Sequence, residues 1–107
     1  MSVQQITAQA LLEKLKDKQP LVLLDVREPV EFEYAKIKGS QSIPLNQIPL
    51  RFQELDQDQE IIVICHHGVR SLQAAHFLIH RGFVNILNLS GGIDAWSREC
   101  DSTVPRY

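Results

Sequence analysis

Residues 65–71 read CHHGVRS and lie between an uninterrupted apolar run, IIVI, and SLQAAHFLIHRG, whose apolar residues have helical spacing. A cysteine placed there has a defined electrostatic setting. With IIVI as a strand and the following segment as a helix, Cys65 is the first residue off the strand and Arg70 stands at the helix start. Unsatisfied backbone N–H groups, the helix dipole and the guanidinium all favour a thiolate over a thiol, so Cys65 is expected to be nucleophilic near neutral pH. Gly68 opens backbone conformations closed to other residues, which lets the loop curl its amides inward as an anion cradle. A cysteine ending a strand is, by itself, more often a small buried hydrophobe. The combination of Cys65, Gly68 and Arg70 between a buried strand and a helix start favours nucleophilic chemistry instead.

The elements that must position this loop can be read from patterning. In ITAQALLEKLKDK, Ala8, Leu11, Leu12 and Leu15 recur at helical spacing, Thr7 stands as N-cap, and Ile6 with Leu11 fits a hydrophobic staple. LVLLDV, residues 21–26, is a short apolar run with the pattern of a strand buried on both faces. PVEFEYA predicts a short helix with Pro29 at its start and acidic residues in its first turn. SQSIPL predicts a short strand ended by Pro44, and a short helix is expected around Leu50 to Leu55. EIIVI, residues 60–64, is the second strongly apolar strand; Leu72, Ala75, Phe77, Leu78 and Ile79 then give a helix a broad apolar face, closed by Gly82. NILNLS reads as the last strand and GGIDAWSREC as a closing helix, with Gly91 and Gly92 shaping its start and Trp96 in the core. Strands alternating with helices indicate an α/β fold with a central, mostly parallel sheet flanked by helices, forming a single domain over residues 1–107. Ligand sites in such sheets lie beyond the carboxyl ends of the strands, where Cys65 stands.

Composition narrows the function classes. A chain of 107 residues with net charge −2 and 44% hydrophobic residues can bury one core without a disulfide or metal staple. Cys65 and Cys100 lie far apart with no CxxC spacing, which points to a reducing compartment, and a cytoplasmic location is expected. The N-terminus has no basic segment followed by an apolar one, and no apolar stretch approaches the ~20 residues of a membrane helix. Basic residues are scattered among acidic ones, so neither nucleic acid nor membrane is expected as a partner. His76 and His80 are four apart but lack the acidic residue of a zincin motif and a third ligand; no metal and no cofactor is expected.

CHHGVRS resembles the CxxGxRS active-site loop of the rhodanese-like domains, which begins with the nucleophilic cysteine and leads into a helix. LLDVREPVEFEYAKIKGSQSIPL resembles the family's DVRE and HIPGAxNIP region, and NLSGGIDAWSRE its GGxxxW closing helix. Three motifs in the family's order span nearly the whole chain. The resemblance implies a sulfurtransferase similar to the small thiosulfate:cyanide sulfurtransferases, working through a Cys65 persulfide. It further implies that the amides of His66, His67, Gly68, Val69, Arg70 and Ser71 hold the persulfide, and that Arg70 helps bind the anionic donor or the departing sulfite. The implied partners are a small-molecule sulfur donor and a cyanide or thiol acceptor, with a sulfur-relay or thioredoxin-like protein also in view. In this family sulfur-transfer loops are one residue shorter than the C-x5-R loops of the related phosphatases; Cys65 to Arg70 is C-x4-R, which favours sulfur over phosphate. A sulfur-relay or regulatory module loaded by a partner protein is the alternative.

Asp25 and Arg27 match the family's DVRE, and their expected role is structural support of the site. Lys36 stands where the family motif has histidine, so any task of that histidine is not carried over. A histidine side chain ordinarily changes charge near physiological pH, and two readings stay open for His66 and His67: a charge switch, or exposed rim residues. Cys100 is expected to be a spare thiol.

Overall fold

Parallel strands covered on both faces need continuous apolar sequence, and IIVI supplies it: β4 (Ile61–Ile64) is buried at every position. In the computed structural model, which describes residues 3–107, β4 is the centre of a five-stranded sheet ordered β1-β5-β4-β2-β3. Its neighbours are β5 (Ile86–Leu89) and β2 (Val22–Asp25), with β1 (Gln4–Ile6) and β3 (Gln41–Ser42) at the edges. Every pairing is parallel, so the expected mostly parallel sheet is wholly parallel. The edge strand β1 was not foreseen, because QQI has only one buried residue, Ile6, and no alternation to announce it.

The period of two along β4 sorts the core into layers. Ile62 and Ile64 pack with Leu11, Leu23, Leu89, Ile93 and Trp96 beneath α1 (Ala8–Lys16) and α5 (Gly92–Glu99). Ile61, Val63 and Cys65 pack with Leu24, Ile48, Ala74, Ala75 and Leu78 beneath α3 (Ile48–Arg51) and α4 (Arg70–His80). Helix boundaries follow local chemistry. The Thr7 hydroxyl accepts from Ala10 N at 3.1 Å and starts α1, as its N-cap position predicts. Glu28 and Glu31 form a capping box around Pro29 at the start of α2 (Pro29–Tyr34). The helix expected over Leu50 to Leu55 begins earlier: α3 lies between 3₁₀ turns at Leu45–Gln47 and Phe52–Glu54. Pro49 sits within its first turn, where a missing N–H breaks no helical bond.

The register carries function to one end of the sheet. Asp25 pairs with Ile64 and Val63 with Asn88, so the segments leaving β2, β4 and β5 emerge side by side. Among the described residues no helix is long and apolar enough to cross a membrane.

Candidate active site

Cys65 leaves β4 at 1% exposure, and the chain turns back over it at once: Gly68 N–H donates to Cys65 Sγ at 3.1 Å. That turn needs φ +96° at Gly68, and a Cβ there would lie 3.2 Å from Gly91 N and Leu89 O. Glycine is required on both counts. The opposite wall is α5. Ile93 N–H donates to Cys65 O at 2.8 Å and Asp94 N–H to His66 O at 3.1 Å, so the orphan donors of a helix start fix two loop carbonyls on the side away from the sulfur. Gly92 permits this approach, with φ +62° and no side chain; a Cβ would stand 2.4 Å from His66 O and 2.5 Å from Cys65 O.

On its other flank the Cys65 thiol donates to Ser71 Oγ at 3.3 Å, and the Ser71 hydroxyl donates to Asn88 Oδ1. Asn88 Nδ2 in turn donates to Gly68 O at 3.1 Å and to Gln5 Oε1 at 2.9 Å. Ser71 and Asn88 are both buried.

The frame around the loop is a chain of charges. Arg27 is fully buried and bonds Asp25 through Nη2 at 2.7 Å and Nε at 2.9 Å, while Nη2 also donates to Ala35 O at 2.5 Å. Its Nη1 donates to the Tyr107 hydroxyl at 2.8 Å, which donates to Glu31 Oε2 at 2.8 Å. Glu31 then meets Arg70 in a bidentate pair of 2.7 and 2.9 Å. Arg70, which the resemblance implies helps bind an anionic donor, turns its guanidinium to Glu31 of α2. The Arg70 hydrogen bond, against the opposing effect of burial, holds the Glu31 carboxyl at about 2.

A family model described as "Rhodanese-like domain" matches residues 7–99. The chain belongs to the rhodanese-like domain family. It is 40% identical over 99 residues to a thiosulfate sulfurtransferase GlpE of Haemophilus influenzae, covering 92% of this chain and 91% of that one. A crystal structure of a rhodanese-related protein from Thermoplasma volcanium superimposes with a TM-score of 0.82 at 37% identity, covering 91% and 93% of the two chains. An NAD-dependent persulfide reductase from A. fulgidus matches with a TM-score of 0.71 at 33% identity, over 88% of this chain and 16% of its own.

In this rhodanese-like domain the loop histidines form a stack. His66 stacks on His67, centroids 3.9 Å apart, and on the Tyr107 ring at 4.0 Å, whose plane is nearly parallel to it at 7°. Burial first, and then His67, lowers the His66 pKa below its usual 6.5, which favours the neutral ring. His66, His67 and Asp94 bring ligand atoms within 4.8 Å of one another, but they do not fit a metal. The two imidazoles are stacked with planes only 30° apart, so their lone pairs do not converge, and the Asp94 carboxylate already bonds Arg98 and Arg106. Lys36 is exposed, its ammonium 5.1 Å from the Phe32 ring, and His76 and His80 are exposed on α4. Cys100 ends α5, seven residues beyond Ile93 and about 10 Å along the helix axis. Both cysteines are free thiols, and they pack in different layers of the core, Cys100 against the α1 and α5 side and Cys65 beneath α3 and α4.

Patterning missed Glu31, Asn88, Tyr107 and the contact role of Gly92. A signal existed for two of them: Glu31 sits one turn into a helix that follows Arg27, and the Gly91–Gly92 pair precedes a helix without a polar cap. Nothing local marks Asn88 or Tyr107, whose partners lie 17 and 76 residues away.

Replacing Arg27 by Leu leaves Asp25 buried and uncompensated, and is expected to cost about 3 to 5 kcal/mol in urea unfolding. Gly92→Ala is expected to cost about 3 kcal/mol or more and to alter Cys65 reactivity, because the new Cβ meets backbone rather than a movable side chain. Glu31→Gln tests the ion-pair chain through pH. A carboxyl depressed from 4.5 to about 2 contributes stability that is complete above pH 4.5 and is lost as pH falls through 2. The melting temperature of wild type should therefore exceed that of Glu31→Gln at pH 5 to 7, with the difference shrinking on acidification.

Proposed function

We propose that this rhodanese-like domain is a sulfurtransferase that moves sulfane sulfur from a donor such as thiosulfate to a cyanide or thiol acceptor through a Cys65 persulfide. The Cys65 thiolate attacks the outer sulfur of thiosulfate, the S–S bond breaks, and sulfite departs with the bonding electrons. Cyanide or a thiolate then attacks the outer sulfur of the persulfide, and Cys65 thiolate is regenerated. The observation that carries this reading is the turn of the loop: Gly68 N–H on the sulfur at 3.1 Å, with the Cys65 and His66 carbonyls bonded to α5. The amides of residues 66–71 hold the added sulfur as they would an oxyanion. Arg70, paired with Glu31, fixes the loop where it enters α4, and Asp25 with Arg27 supports that frame. A free thiol nucleophile suits a reducing compartment, the cytoplasm.

A second reading, a sulfur-relay module loaded by a protein partner, is favoured by charge. Arg70 is neutralised by Glu31 and Arg27 by Asp25, so no unpaired guanidinium of this frame attracts a free dianion. A groove of about 490 Å³ beside Arg70, floored by Val26, Leu45, Ile48, Ala74 and Phe77, offers room for a partner's apolar side chain.

Intact-protein mass after thiosulfate treatment and desalting, on wild type and Cys65→Ser, separates the readings. A one-sulfur gain confined to wild type, discharged by cyanide as thiocyanate, is expected for the enzyme. No gain from thiosulfate, with loading by a cysteine desulfurase, would withdraw the thiosulfate reaction in favour of the relay.

A further inference from the structure

The hydrogen bonds around Cys65 have a direction fixed by counting hydrogens. Gly68 O can only accept, so the Asn88 atom facing it at 3.1 Å is the donor Nδ2, and Oδ1 faces Ser71. A carbonyl oxygen cannot donate, so the one hydroxyl hydrogen of Ser71 points at Asn88. Ser71 Oγ then has only lone pairs left for Cys65, and the 3.3 Å contact is a bond from the thiol to the hydroxyl. The chain runs Cys65 S–H to Ser71 O–H to Asn88 C=O.

Ionisation breaks that order. When the Cys65 proton leaves for solvent, Sγ has no hydrogen to give, and Ser71 stabilises the new charge only by rotating its hydrogen onto sulfur. Asn88 Oδ1, on a residue 1% exposed, is then left without a donor. We propose that Asn88 is a positioning residue that competes with Cys65 for the single Ser71 hydrogen and thereby holds down the thiolate. The inference rests on the reading of Cys65 as the nucleophile, and it adds a residue that neither motif nor loop length marks. Three states of sulfur are treated differently. In the thiol Sγ donates to Ser71, and in the persulfide Sγ is bonded to a second sulfur and asks for no hydrogen; in both, Ser71 stays on Asn88. Only the thiolate competes, so Asn88 biases the cycle toward the loaded enzyme and against its reactive empty form.

Alkylation of the reduced protein by iodoacetamide, followed by mass across pH in a Cys100→Ser background, tests this without requiring sulfur transfer. In that reaction the thiolate attacks carbon and iodide leaves, so the rate follows the ionised fraction. The other charged groups near the loop, namely His66, His67, the Arg70–Glu31 and Asp25–Arg27 pairs and Asp94 of α5, are the same in every variant. Asn88→Leu keeps the side-chain shape and removes the acceptor; its profile is expected to move to lower pH, with rates roughly tenfold higher on the rising limb. Ser71→Ala should move the profile to higher pH, and Asn88→Leu added to Ser71→Ala should move it no further. If Asn88→Leu does not fold by circular dichroism, Asn88→Ala carries the same expectation. An equal shift with and without the Ser71 hydroxyl, or no downward shift, would overturn the proposal, since a loosened loop would act regardless of that hydroxyl. If these shifts appear while thiosulfate fails to load Cys65, the proposal stands and only the donor assignment falls.

Discussion

The site rests on one backbone contact, between the first turn of α5 and the carbonyls of Cys65 and His66. A helix start has N–H groups with no partner in the helix, and a loop buried against a sheet has carbonyls that must not be left dry. Each set satisfies the other, at 2.8 and 3.1 Å. The orientation of the loop follows from it: carbonyls held on the α5 side commit the chain to a turn that puts Gly68 N–H on the sulfur. The contact is possible only where residue 92 lacks a side chain. A helix that begins at Gly92, well after the strand on which Cys65 hangs, would be ordinary packing elsewhere; here it dictates which face of the loop its carbonyls occupy.

Charge is arranged so that this backbone chemistry is not overwhelmed. Burying Arg27 and Asp25 costs desolvation, which their geometry and the extra bonds to Ala35 O and Tyr107 offset. The chain of bonds then crosses to α2 and ends at Arg70, tying a residue after β2 to the first residue of α4. Because each cation in it is matched by a carboxylate, its net pull on an anion at Cys65 is reduced, while the Gly68 N–H dipole meets the sulfur at 3.1 Å. Dipoles act at contact range and discriminate by shape, whereas a free guanidinium would attract any anion, so pairing Arg70 narrows what the loop responds to.

Much of this was legible in sequence where the signal is local. IIVI reads as a buried parallel strand because it lacks alternation, Thr7 as a cap because of its position, and Gly68 as a loop hinge because little else turns so tightly. The strand at Gln4–Ile6 and the onset of α3 were not, since edge pairing tolerates polar residues and Pro49 marks a first turn as readily as a break. Arg70 was legible as the residue at the start of α4, but its pairing with Glu31 was not: position along a helix does not say which way a long side chain reaches, and this partner lies 39 residues upstream. Asn88 was hidden more deeply. A polar residue in a buried strand has meaning only through what it bonds, and ILNL gives no hint of a serine on another element.

The two flanks of the sulfur differ in kind, and the proposed chemistry needs that difference. An amide N–H is fixed by the peptide plane, so Gly68 gives the same donor to thiol, thiolate and persulfide. A hydroxyl turns about one bond, so Ser71 can accept from a thiol or donate to a thiolate within the same packing. The proposed cycle, in which one sulfur gains and loses a proton and a second sulfur, must tolerate all of these states without moving buried backbone. The rigid donor preserves the shape of the cradle, and the rotating one absorbs the change of charge. Its cost falls on whichever acceptor the hydroxyl abandons, which ties the reactivity of Cys65 to a residue on a neighbouring strand.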